Sequence, residues 1–420
     1  MRISHLQLHN FRGIRSLKFE FDPHMNVIAG VNGSGKSAIL DCAAILLSRL
    51  TAGISSPKSG GRLYSEQDIN NNSAATNNSI GIEFEGRIYH WNLAKTRPGR
   101  PHEESSVLSD VKAIAEIVQA RLSEQNEASV PLAVFYPVNR AVLDIPLRIR
   151  GRHQFDQLAA YSGALTAQNN FRVFFEWYRD REDLENEQYR RYRESPLFSE
   201  SPQHDRQLEA VRRAIPQFLP GFSNLHIKRM PLRMVVTKGN DELLVNQLSD
   251  GEKCMLAMVG DLARRLALAN PSVTDPLHSA AVVLIDEIEL HLHPGWQRRV
   301  IPALQATFPN CQFVLTTHSP QVVSEVPSKQ IWVLDPQGTT AEHPRGAYGL
   351  DSNRILEDVM EVPERPAKVK GRLAELFRQI DENRLQEAQQ TKEEIHSIIG
   401  DDPELTKAAV LIRRKEALGK

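Results

Sequence analysis

The sequence predicts an α/β protein with a mostly parallel core sheet, an antiparallel β subdomain, an inserted helical lobe and a C-terminal helical tail. Three observations predict it. Short apolar runs (MNVIA, VPLAVFYPV, AAVVLIDE, QFVLTT) alternate with helical stretches, the order a parallel sheet with crossover helices requires. The first residues alternate apolar and polar positions around a turn, as antiparallel strands with one buried face do. Beyond Gly349 the chain reads as helix, with VKGRLAELFRQIDENRLQEAQQTKEEIHSIIG followed by DPELTKAAVLIRRKEAL.

In chain order, Ile3, Leu6 and Leu8 form one strand, Asn10-Phe11-Arg12-Gly13 turns, and Ile14, Leu17, Phe19 and Phe21 form the next. Met25–Ala29 is a buried strand, followed by a glycine-rich loop and SAILDCAAILLSRL, a helix apolar on most faces and therefore enclosed. Residues 52–80, rich in Gly, Ser and Asn, read as loop. IGIEFEGRIYHWNL is a hairpin turning at Glu85-Gly86, and 106–127 is helical. From Ala164 to Arg193 a charged amphipathic helix carries Phe171, Phe174, Phe175, Trp177 and Tyr178, a cluster expected to pack an inserted lobe. Strands return near LHIKRMPLRMVVTKG, and helices cover Gly251–Leu268 and Gln297–Phe308.

Composition narrows the function classes. The 420 residues are 41% hydrophobic and 25% charged, which supplies a large core and excludes wholesale disorder. Lys and Arg number 51 against 52 Asp and Glu, so no global field draws the chain to nucleic acid or anionic lipid. Any contact with DNA or RNA must come from local patches such as Arg140, Arg148, Arg150 and Arg152, or Lys228, Arg229 and Arg233. Cys42, Cys254 and Cys311 lie far apart with no CxxC, which argues against a disulfide framework and for a reducing, cytoplasmic setting. Neither a signal peptide nor a membrane span is expected.

Four segments carry chemistry. Gly30-Val31-Asn32-Gly33-Ser34-Gly35-Lys36-Ser37 is a phosphate-binding loop between a strand and a helix, its N–H groups and the helix N-terminus available to phosphate oxygens. Lys36 would reach the β and γ phosphates, and the Ser37 hydroxyl would ligate Mg²⁺. Val282-Val283-Leu284-Ile285-Asp286-Glu287 delivers two carboxylates to the C-terminal edge of a buried strand, Asp286 for the metal and Glu287 to polarise the attacking water. Leu248-Ser249-Asp250-Gly251-Glu252 opens a helix whose N-terminus faces an anion. Thr316-Thr317-His318-Ser319 brings a histidine to the same sheet edge.

In this order the four segments resemble the head of an ATP-binding cassette ATPase. The LSDGE signature and the Asn10-Phe11-Arg12-Gly13 turn are similar to the SMC, RecF and overcoming-lysogenization-defect branch. The resemblance implies ATP sandwiched in a head-to-tail homodimer or a higher even oligomer. One protomer would give Asn32, Gly33, Ser34, Gly35, Lys36, Ser37, Ala38, Asp286, Glu287 and His318, its mate Ser249 and Gly251, with Arg12 near the nucleotide. Glu287 and His318 would be the catalytic pair, Ser37 and Asp286 the Mg²⁺ ligands. The implied divisions are an N-terminal ATPase lobe over 1–163, a helical lobe over 164–224, a C-terminal ATPase lobe over 225–346 and a tail over 347–420.

Whole segments narrow the resemblance. YPVNRAVLDIPLRIR (136–150), NNFRVFFEWYRDREDLENE (169–187) and AYGLDSNRILEDVM (347–360) resemble the ATPase subunit of Septu-type antiphage systems, which retrons also recruit. That family implies a partner HNH nuclease restrained or released by nucleotide state, with Leu373, Leu376, Phe377, Ile380 and Leu385 on a docking or self-packing face. The stretch between Ser37 and Ser249 lacks long heptads and a zinc hook, which excludes an SMC-like arm. No nuclease motif stands out in this chain itself. Two features depart from the pattern. His293 stands where the D-loop aspartate is expected, and the Q-loop glutamine has three candidates, Gln67, Gln154 and Gln157. The alternative function is a RecF-like ATP-dependent clamp on DNA with no nuclease partner.

Overall fold

The alternation at the N-terminus becomes a hairpin. Strand β1 (Arg2–Phe11) runs antiparallel to β2 (Ile14–Glu20) with Phe11 opposite Ile14, which leaves Arg12 and Gly13 as the turn. Ile3, Leu6, Leu8, Leu17 and Phe19 are buried on its inner face. The structure, a computed structural model, describes residues 1–56, 59–101, 104–125, 127–138, 156–166, 171–194, 204–360 and 362–418. It divides into two compact units, Met1–Leu350 and Asp351–Lys420. Gln154, the cluster from Arg140 to Arg152 and most of the 136–150 segment lie outside the described residues.

In the first unit β3 (Met25–Ala29) is wholly buried and leads through the glycine loop into helix α1 (Lys36–Ser55). By length and composition α1 is the one helix among the described residues that could cross a membrane, and its burial is that of a core helix. β4 (Ala75–Phe84) and β5 (Arg87–Thr96) add to the hairpin in the order β2-β1-β4-β5, turning at Glu85-Gly86 as expected. Residues 75–80, read from their composition as loop, are strand. Thr76 Oγ1 donates to the His9 carbonyl (2.8 Å) and Asn78 Oδ1 accepts the His9 N–H (2.9 Å), so the polar side chains bond strand backbone.

Helix α2 (Ser109–Glu124) precedes β6 (Leu132–Tyr136), and α3 (Phe171–Glu194) with α4 (Arg206–Phe218) follow. Phe174, Phe175, Trp177 and Tyr178 are buried, the packing role expected of that cluster. The strands near residue 225 form a separate antiparallel sheet of β7 (Phe222–Arg229), β8 (Leu232–Lys238) and β9 (Asp241–Leu244). There Lys228 pairs with Glu242, and Arg229 with Glu182 (2.9 Å) and Asp183 (2.7 Å). Two of the three cations in that basic run are thus paired with the protein's own carboxylates at its surface.

Helix α5 (Asp250–Ala269), β10 (Ala281–Ile285), α6 (Pro294–Thr307), β11 (Gln312–Thr317), the short α7 (Pro320–Val323), β12 (Ile331–Leu334) and β13 (Ala341–Glu342) complete the unit. The core sheet has the order β13-β12-β3-β11-β10-β6, parallel throughout except at β13. β3, β6, β10 and β11 are buried on both faces, which is why they read as near-continuous apolar runs. Gln312 rivets this sheet to the hairpin: its amide accepts the Ile3 N–H (2.6 Å) and donates to the Ile3 (2.8 Å) and Asp22 (2.9 Å) carbonyls.

The second unit contains α8 (Ser352–Arg354), α9 (Ala367–Asp381), α10 (Leu385–Ile399) and α11 (Pro403–Leu418). The long tail helix suggested by the sequence breaks at Asn383, which adopts φ 64°, so Leu385 opens a new helix instead of extending the Leu373 face. Leu373, Leu376 and Ile380 join Ala388, Ile395, Leu405, Ala408 and Ile412 in the unit's own core. Leu373, Leu376 and Ile380 are thus packed inside this unit, with Phe377 partly buried against them.

Candidate nucleotide site

The glycine loop sits where β3 leaves the middle of the parallel sheet, the edge at which α/β folds bind ligands. Gly35 caps α1 at φ 96°, a left-handed turn that only a residue without Cβ enters cheaply, and it aims the first N–H groups of α1 into the loop. Ser34 is buried, and its Oγ has no hydrogen-bond partner among the described residues. A turn between β12 and β13 presses on the loop from behind: a Cβ on Gly338 would lie 2.5 Å from the Ser34 carbonyl oxygen. Asn32, Gly33 and Ser37 are exposed, and Ala38 is half-buried.

Lys36 is buried, and its Nζ donates to the loop's own carbonyls at Gly30 (3.0 Å) and Val31 (2.9 Å). Burial drives its pKa down to about 8, against the pull of Asp286, Glu287 and Glu289. Asp286 and Glu287 stand at the end of β10. Asp286 is buried and donates its N–H to the Tyr136 carbonyl (2.9 Å), while Glu287 turns through φ 46°. The His318 ring lies 3.7 Å from a Glu287 carboxylate oxygen. Burial and the Lys36 charge lower the His318 pKa, opposed by Glu289, Glu287 and the Gly30 carbonyl. The structure thus gathers Gly30, Lys36, Asp286, Glu287 and His318 around one sheet edge.

Two residues of this cluster escaped sequence reasoning. Thr316 donates its hydroxyl to Asp286 Oδ1 (2.5 Å) and accepts the Glu287 N–H (2.8 Å); Glu289 accepts the His318 N–H (2.5 Å). Thr316 lies within a singled-out segment and Glu289 two residues past another, yet their roles depend on β10 and β11 being neighbours with Ile285 beside Leu315.

Ser249 and Gly251 are placed elsewhere. Ser249 closes a capping box on α5 with Glu252, and Gly251 lies so close to the following loop that a Cβ would meet the His291 carbonyl at 2.4 Å. With His291, His293 and Trp296 they line a cleft of about 490 Å³. His293 caps α6 by accepting the Gly295 N–H (3.2 Å), a structural use for the residue at the expected aspartate position. Arg12 turns to Asp41 (2.5 Å) and Asp68 (2.9 Å). Gln157 donates to the Ala128 (2.6 Å) and Ala269 (3.1 Å) carbonyls, a structural role, and Gln67 is exposed.

Comparison with known proteins identifies the family. The family described as "AAA domain" matches residues 5–219, and a second AAA-domain family, named for the AbiEii toxin of type IV toxin–antitoxin systems, matches residues 120–324. The chain is 32% identical to the Retron Ec83 probable ATPase of Escherichia coli, covering 88% of this chain and 78% of that one. It is 30% identical to the Retron Vc95 probable ATPase of Vibrio cholerae, covering 85% and 79%. A shorter match, 28% identical over 147 residues, covers 33% of this chain and 37% of the Septu protein PtuA of Bacillus thuringiensis. The chain belongs to the AAA-domain family and, within it, to the retron ATPases.

Proposed function

We propose that this chain is a nucleotide switch in an antiphage defence system, hydrolysing ATP slowly between two of its own copies and controlling a partner HNH nuclease. The observation that carries the reading is the convergence of Lys36, Asp286, Glu287 and His318 on the edge from which the glycine loop springs. The loop suits a polyphosphate: Ser34 Oγ is buried without a partner among the described residues, and the Lys36 ammonium is bonded only weakly, to neutral carbonyls. The hydroxyl of Ser37 and the carboxylate of Asp286 are hard oxygen donors of the kind Mg²⁺ takes. Bound there, Mg²⁺ would neutralise charge on the phosphate oxygens.

In this reading Lys36 leaves the Gly30 and Val31 carbonyls for the β and γ phosphates. Glu287 orients and polarises the attacking water, and His318, close to its carboxylate, holds the γ-phosphate side of the site. Ser249 and Gly251 complete the site from a second copy, since in one chain they line the other cleft. A RecF-like clamp is the weaker alternative, because Lys228 and Arg229 are engaged in ion pairs where a DNA surface needs them available.

The test is the mass of the complex recovered when this chain is co-expressed with the product of its neighbouring gene, with and without ATP. A nucleotide-sensitive complex with an HNH protein is expected. Glu287→Gln should trap the closed two-copy state and Lys36→Ala should abolish nucleotide binding. A chain that dimerises with ATP, ignores its neighbour and binds DNA in a salt-sensitive manner would establish the clamp instead.

A further inference from the structure

The hydroxyl of Thr316 takes no part in the reading above, yet it touches both acids. The parallel pairing of β10 with β11, with Ile285 beside Leu315, sets Thr316 next to Asp286 at the sheet edge. The side chain is fully buried, so its single proton and its lone pairs must be used inside the protein. Its proton goes to Asp286 Oδ1 (2.5 Å), a carboxylate that can only accept, and a lone pair takes the Glu287 N–H (2.8 Å). The main chain of the same residue accepts the Ile288 N–H (3.1 Å). Glu287 adopts φ 46°, a left-handed conformation unfavourable for a residue with a Cβ, which persists only where its surroundings fix it. Thr316 supplies two of the hydrogen bonds that bracket this turn. A β-branched side chain, stiff about its first torsion, is suited to holding both partners at once.

We propose that Thr316 is a positioning residue of the nucleotide site: its hydroxyl sets the rotation of the Asp286 carboxylate toward the Mg²⁺–nucleotide and locks the turn that presents Glu287 to water. The inference rests on the roles given to Asp286 and Glu287 above. It differs from a packing role for the threonine methyl, and two pairs of substitutions separate the two. Thr316→Val keeps the shape and removes the hydroxyl, whereas Thr316→Ser keeps the hydroxyl and removes the methyl.

The experiment measures binding of a fluorescent ATP analogue to the full chain in EDTA and again across a Mg²⁺ titration, alongside phosphate release. The expected result is that Thr316→Val binds the analogue normally in EDTA, because the Lys36 loop is untouched. Its Mg²⁺-dependent gain in affinity and its turnover should each fall about 10- to 100-fold, as outer-shell partners of metal ligands do when removed. Thr316→Ser should retain most of both. A wild-type Mg²⁺ response in Thr316→Val, or an equal loss in Thr316→Ser, would overturn the assignment. Should Thr316→Val lack a cooperative unfolding transition, Thr316→Ala against Thr316→Ser decides the same question, since those two differ only by the hydroxyl. Wild-type protein with no Mg²⁺-dependent nucleotide binding would overturn the nucleotide site itself. Normal wild-type binding, with hydrolysis blocked by Glu287→Gln and Thr316→Val unaffected, would remove Thr316 alone.

Discussion

The charge clusters around Asp261 and around Lys36 share one residue, Tyr136. Its hydroxyl bonds Asp261 (3.1 Å) on α5, and its carbonyl accepts the Asp286 N–H (2.9 Å) at the end of β10. In the Asp261 cluster two guanidinium groups share one carboxylate, so each charge touches an opposite one: Arg264 reaches one carboxylate oxygen (2.6 Å) and Arg265 the other (2.7 Å). Arg265 also satisfies the Ala160 (2.6 Å) and Ser162 (3.0 Å) carbonyls. Burial opposes the Asp261 charge, but Arg265 and Arg264 hold its pKa down to about 2. In the Lys36 cluster the same low-dielectric setting has the opposite outcome. The cation bonds two neutral carbonyls while Asp286, Glu287 and Glu289 act on it through space, and its pKa drops to about 8. Saturated charges hold a fold together, whereas a cation kept short of a carboxylate partner retains affinity for an incoming anion.

The sharpest way to break that contrast is Glu287→Gln, which should cut phosphate release about 10²- to 10⁴-fold while leaving the unfolding midpoint nearly unchanged. An equal loss of stability would mean that the acid is structural. Asp261→Asn should do the reverse. It leaves two buried guanidinium groups short of their anion and should cost about 3–5 kcal/mol in urea unfolding. An unchanged midpoint would remove the contrast from that side.

A third prediction concerns pH. The folded pKa of Lys36, about 8, lies below the ordinary 10.5, so the folded state binds fewer protons between these values. Stability of the wild type relative to Lys36→Met should therefore be flat below pH 8 and rise as pH increases through that window, by up to about 3 kcal/mol. Paired unfolding curves at successive pH values check it, and a gap that shrinks with rising pH would contradict the sign. The smallest effect belongs to the second cleft. His293→Ala removes the cap of α6 and should cost about 1 kcal/mol, and His293→Asn should restore it because asparagine caps as well. A cost that asparagine fails to recover would give the imidazole a role beyond capping.

What could be read from the sequence was local. The phosphate loop announces itself by glycine spacing between an apolar strand and a helix. Asp286 and Glu287 are visible because a wholly buried run ends abruptly in two acids. Thr316 and Glu289 were not legible, since their roles come from strand neighbours far apart in sequence, and no property of TTHS alone says which hydroxyl meets Asp286. The polar start of β4 was misread for a related reason: Thr76 and Asn78 have strand backbone as partners, which composition does not reveal. Arg12 stands at the expected turn, but Asp41 and Asp68, one on α1 and one in a distant loop, decide where its guanidinium goes.

The folded-back posture of Lys36 makes the glycine loop a guarded entrance. Its ammonium already occupies a seat formed by the Gly30 and Val31 carbonyls, so a newcomer must displace an internal tenant as well as shed water. Weak or singly charged anions offer the ammonium too little to leave that seat, while a triphosphate chain offers several oxygens at once. On the proposed reading, the resting loop would select for charge density before any contact with a base or sugar is made.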